Sequence, residues 1–107
     1  MGFKEAKRAF LQALVDDNII HEYRTIEEKN WIASQQISLE EAREILGSVR
    51  GNQAECGRHH FLAVEIWVFK PIHSQQRWYV KGYLIEGTLH VMELHLMSFH
   101  PSERSQS

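Results

Sequence analysis

Arg77, Tyr79, Lys81 and Tyr83 alternate along one short stretch of the chain, and Glu93 and His95 alternate along the next. Cationic, phenolic, carboxylate and imidazole groups together can hold phosphate, stack on unpaired bases and move protons near neutral pH. Residues two apart share a face only if the segment is extended. The chemistry therefore requires strands, and three are predicted, over 60–70, 77–85 and 89–99. Strand parity separates an aliphatic set, Leu62, Val64, Ile66 and Val68 with Met92, Leu94 and Leu96, from the polar and aromatic one. The aliphatic set is the expected core. The opposite face would carry Glu65 and Trp67, then Arg77, Tyr79, Lys81 and Tyr83, then Glu93 and His95. The same alternation also suits a solvated outer face, because cross-strand aromatic and long-chain pairs stabilise sheets by themselves. In that case Glu65 and Glu93 partner Arg77 or Lys81.

Six of the seven histidines fall in residues 58–107. His90, His95 and His100 are five apart, which alternates faces in a strand, and no His-x-His pair accompanies them. The spacing thus offers no metal site. The one cysteine, Cys56, has no base beside it in sequence and is not read as a nucleophile.

The elements that must position this face are predicted as helices. Phe3, Ala6, Phe10 and Leu14 recur at helical spacing over 2–17. Thr25-Ile26-Glu27-Glu28 and Ser38-Leu39-Glu40-Glu41 both have the capping-box form, a hydroxyl followed three residues later by a carboxylate. They predict helices over 26–35 and 39–46, the latter stopped by Gly47. Residues 48–58 read as a polar connection, 71–76 and 86–88 as hairpin loops, with Gly87 in a tight turn. The expected fold class is α+β: one domain over 1–107, with N-terminal helices (1–47) on one face of an antiparallel sheet (59–100) and a frayed tail (101–107).

At 107 residues the chain is long enough for a single core. A single cysteine rules out an intramolecular disulfide and suits a reducing, cytoplasmic setting. No apolar run approaches the roughly 20 residues of a membrane helix, and no signal peptide is read, so no membrane partner is expected. Net charge is −2, with acidic excess in residues 1–57 (seven Lys/Arg, ten Asp/Glu) and none in 58–107 (five against four). The sheet half is therefore the more cationic one.

Trp67-Val68-Phe69-Lys70-Pro71, Trp78-Tyr79-Val80-Lys81 and Ser98-Phe99-His100 on successive strands resemble the RelE-like ribonuclease toxins of bacterial toxin–antitoxin systems, above all the MqsR toxins. Residues 28–46 resemble the helical part of BrnT toxins, and the likeness covers 25–100. It implies a RelE-like fold and a metal-independent, cofactor-free endoribonuclease that cleaves mRNA and is held inactive by a cognate antitoxin. It also implies active-site roles for Tyr79 and His100, with Lys81 and Lys70 as further basic positions. The chain departs from the pattern in being net acidic and in carrying His100 where MqsR toxins have lysine. By parity His100 falls on the aliphatic side, so reaching Tyr79 requires a bulge near Ser98. His95, better placed by parity, is the alternative acid–base group. Catalysis would rest on Tyr79, Lys81 and His95 or His100, with Lys70, Arg77, Tyr83 and Trp67 binding substrate. The alternative is a non-catalytic domain that uses the exposed sheet face to bind a protein.

Overall fold

The computed structural model describes residues 1–22 and 29–102. Helix α1 (Phe3–Asp16) buries Ala6, Phe10, Ala13 and Leu14, the stripe its spacing predicts. Asp17 ends it in the left-handed region, its N–H returning to the Ala13 carbonyl. Helix α2 (Leu39–Gly47) starts on a complete capping box: Ser38 Oγ accepts from Glu41 N at 3.0 Å, and Glu41 Oε1 accepts from Ser38 N at 3.5 Å. The Thr25 capping box and the start of the helix predicted from residue 26 lie outside the described residues. From Trp31 to Gln35 the chain forms turns rather than the end of that helix, and Gln35 takes φ 62.

The strands are β1 (Ile19–His21), β2 (Ala54–Arg58), β3 (Glu65–Phe69), β4 (Ile72–His73), β5 (Gln76–Glu86) and β6 (Met92–Pro101). They form one sheet in the order β1-β6-β5-β3-β2, with β4 on β5. Two strands go beyond the sequence reading. β2 occupies what reads as a polar connection and pairs antiparallel with β3. β1 lies inside the expected helical part and pairs with β6 in parallel, so the sheet is mixed at that edge. The chain between β1 and β6 is ample for the crossover a parallel pair needs.

Both helices pack on one face, as expected, but β3 presents the opposite parity from the one predicted. Trp67 and Phe69 are buried against the helices, while Ile66 and Val68 are half-buried on the other face and Leu62 is exposed. Past Glu65 at its start, β3 is apolar on both faces, so purity of the aliphatic set could not decide. The larger rings win because they bury more area. Phe69 takes Phe10 edge-on at 4.9 Å and stacks on Trp67 at 5.8 Å. β5 obeys the expected parity throughout and β6 as far as Leu96, with Trp78, Val80, Leu84, Leu94 and Leu96 in the same core; beyond Leu96 the parity of β6 reverses, and Phe99 joins that core.

The loops also differ in detail. Ser74 and Gln75 turn the first hairpin with φ 51 and 66, the paired positive values of a tight primed turn. In the second, Leu89 and His90 take the positive φ and Gly87 does not. Glu65 meets the N-terminal ammonium at 3.4 Å rather than Arg77 or Lys81. Glu93 lies 3.7 Å from His95.

Candidate functional site

The face without helices is built on β5, the central strand. Arg77, Tyr79, Lys81 and Tyr83 alternate onto it, and pairing adds Val68 beside Lys81 and Ile66 beside Tyr83. Across on β6 the register runs Tyr79–His100 and Lys81–Ser98, then shifts so that Gly82 pairs Leu96. Met97 is the extra residue, a β-bulge. It reverses the parity of everything after it. His95 and His100, five apart, therefore both face outward, while Leu96 and Phe99 both reach the core. Gly82 makes room for it: a Cβ there would sit 2.8 Å from the His95 carbonyl oxygen.

The bulge produces two cross-strand Tyr–His stacks with Lys81 between them. Tyr79 and His100 lie 5.5 Å apart at 28°, and Tyr83 and His95 lie 4.9 Å apart at 13°. The pairs differ in environment. Tyr83 is only 4% exposed, although it faces away from the helices. The His59 ring covers it edge-on at 5.1 Å, and its hydroxyl donates to the Glu22 carboxylate. His95 Nε2 is buried, with no hydrogen-bond partner among the described residues. Tyr79 and His100 are half-exposed. His100 Nδ1 lies 2.8 Å from the Pro101 carbonyl, which can only accept, so Nδ1 carries the proton. In the neutral ring Nε2 then keeps its lone pair and can act as a base. Lys81 makes no ion pair or hydrogen bond among the described residues, whereas Lys70 is held by Glu55 at 2.6 Å.

Tyr79 and His100 are thus in contact on one open face that Lys81 shares by register, with Arg77 exposed further along β5. Tyr83 and His95 form a second, enclosed pair. Trp67 is not part of this face. It is 7% exposed in the core beside Phe69, so its expected contact with substrate is withdrawn. Sequence reading missed Glu22, His59 and Met97. Their places depend on the parallel edge strand, the 59–64 loop and the bulge, none of which has a local signal.

One polar pair lies outside this face. Asn30, 1% exposed, accepts from Ala33 N through Oδ1 at 3.0 Å, which orients its amide. Nδ2 therefore donates to His21 Nδ1 at 2.9 Å. Burial lowers the His21 pKa, and the Asp17 carboxylate opposes that shift. The Cys56 thiol is pushed up, first by desolvation and then by Glu65, which disfavours the thiolate. Among the described residues no three His, Cys, Asp or Glu side chains converge to hold a metal ion, and no helix is long and apolar enough to cross a membrane.

No family model, curated protein or solved structure matches the chain. Any functional reading thus rests on this face.

Proposed function

We propose that this chain is a metal-independent endoribonuclease of the type II toxin kind, acting on mRNA and restrained by an antitoxin. The observation that carries the reading is the Met97 bulge, which sets His100 on Tyr79 on the face that also bears Lys81, a lysine with no ion pair among the described residues. In the proposed reaction His100 Nε2 takes the proton of an RNA 2′-hydroxyl. The oxygen attacks the adjacent phosphorus, and the bond from phosphorus to the 5′-oxygen breaks. The Tyr79 hydroxyl protonates the departing oxygen. The products are a 2′,3′-cyclic phosphate and a 5′-hydroxyl, and the proton returns from His100 to Tyr79 through solvent. Lys81 stabilises the extra negative charge on the phosphorane, and Arg77 holds a neighbouring phosphate.

Purified protein is expected to cleave single-stranded RNA in the presence of EDTA and leave the cyclic phosphate. His100→Ala should lower the rate by about 10²–10⁴-fold, the usual worth of a proton-transfer group. Lys81→Ala and Tyr79→Phe should lower it as well. A greater loss in His95→Ala than in His100→Ala, at equal stability, would reassign the base. Activity abolished by EDTA and restored by a divalent ion would overturn the metal-free mechanism. Absence of both cleavage and any growth defect on expression would favour the second reading, a protein-binding module. The exposed β2, which ends the sheet among the described residues, supports that reading, because an open strand edge can accept a partner's strand.

A further inference from the structure

Residues 59–64 join β2 to β3 and lie beside the helix-free face. The His59 ring holds this loop: its Nδ1 accepts from both Phe61 N and Leu62 N at 3.1 Å, and His59 N donates to the Val64 carbonyl at 3.1 Å. Phe61 is nevertheless 88% exposed, with the rings of His59 and His60 at 6.2 and 6.3 Å. Between this aromatic rim and the sheet runs a groove of about 400 Å³, floored by Ile66, Val68 and Met97 and reaching Lys81. That volume falls in the roughly 300–1,000 Å³ range of small-ligand sites. Apart from Lys81 at its end, the proposed catalysis leaves the groove unused.

We infer that this groove is the subsite for one unpaired base of the RNA. The inference rests on the ribonuclease reading and specifies how substrate is held there. A base is flat and largely apolar on its faces, and it is tethered to a phosphate. The groove has the matching parts: an exposed ring for stacking, an aliphatic and thioether floor, and the Lys81 ammonium at one end. Arg58 and Lys81 supply positive charge with no ion-pair partner among the described residues. Glu55 is the one carboxylate lining the groove, and Lys70 neutralises it at 2.6 Å. Position also fits. Lys81 is two residues along β5 from Tyr79, roughly 7 Å at strand rise. A phosphate on Lys81 therefore lies between a base in the groove and the Tyr79–His100 pair.

Binding would be measured with a fluorescent 2′-deoxy version of a cleaved RNA, which lacks the attacking hydroxyl, and with the same strand made abasic at one position at a time. Phe61→Ala, at an exposed site that folding does not require, should weaken binding by about 5–150-fold, the range of one base–aromatic stack. Val68→Asp should weaken it too. One abasic position next to the cleaved bond should cost the wild type a similar factor and cost Phe61→Ala little more. Wild-type cleavage with Phe61→Ala binding unchanged, and no sensitive abasic position, would overturn the subsite and leave the ribonuclease reading standing. No binding or cleavage by the wild type would overturn both. If Phe61→Ala turned a dimer into a monomer and left RNA binding intact, the groove would belong to a second copy of this chain.

Discussion

Tyr83 and Ile66 are paired neighbours on one face, yet their burial is opposite to what their chemistry suggests. Tyr83 is sealed by His59, His95 and Glu22, whereas Ile66 is half-exposed on the groove floor. Tyr83→Ala should therefore cost about 3–5 kcal/mol, as buried aromatic truncations do. Ile66→Ala should cost less, about 1–2 kcal/mol. Chemical denaturation of the two variants checks the ranking, and the reverse order would put Ile66 in the core. Parity alone suggests that reverse order, which shows what single residues reveal. The outward set Tyr79, Lys81 and Tyr83 was legible because β5 alternates without interruption. Trp67 was not, because past Glu65 β3 is apolar on both sides and only the partner helix decides which side is inside.

At the scale of elements, the informative device is the bulge. Both helix starts that fall within the described residues are where spacing places them, and Ser38 caps α2 with the predicted geometry. Local rules of period and capping suffice there. β1 and β2 had no such rule: one is three residues long and paired far away in sequence, and the other is largely polar. The bulge was visible only as a condition, namely that His100 could reach Tyr79 if β6 slipped by one residue. Gly82 is where that slip is tested. Gly82→Ala places a methyl group against the His95 carbonyl, a backbone atom that cannot rotate away. It should destabilise by about 1–3 kcal/mol, the cost of overpacking. In surviving folded protein it should part the Tyr79–His100 stack and lower RNA cleavage. Unchanged stability in thermal and chemical unfolding would mean that the strands do not approach as described.

For the whole molecule, acid is the natural probe. His21 and Asn30 pin the β1 edge to the segment that bridges Phe99. Nδ1 of His21 is occupied as an acceptor, so protonation there loses the Asn30 bond. With a folded pKa below the ordinary imidazole value of 6.5, the unfolded chain binds more protons in the interval between the two. The contribution of His21 is complete above pH 6.5 and declines as pH falls towards the folded value. Imidazole NMR should place the His21 midpoint below 6.5. Asn30→Asp should raise it, because a carboxylate accepts from the protonated ring. A midpoint at or above 6.5 in the wild type would remove this source of acid sensitivity. The charge of the sheet half belongs to the same scale. Net −2 overall says little, while the open face carries Arg77 and Lys81 together with Glu22, which accepts from the Tyr83 hydroxyl, and Glu93, which lies near His95.

The parallel pairing of β1 with β6 also sets an order of events during synthesis. Ile19 meets Leu94 and His21 meets Leu96, so the first strand made is completed by the last. The β3–β5 and β5–β6 ladders close over short loops, but β1 must wait until nearly all the chain is available, at the entropic cost of a long closure. Ile20, 43% exposed even in the finished fold, is uncovered throughout that wait. Pulse-labelled hydrogen exchange should find the β1 amides protected after those of β5, and earlier protection would contradict this order. The nascent chain therefore stays open to chaperones and proteases at β1 until β6, the strand that carries His95 and His100, has been made.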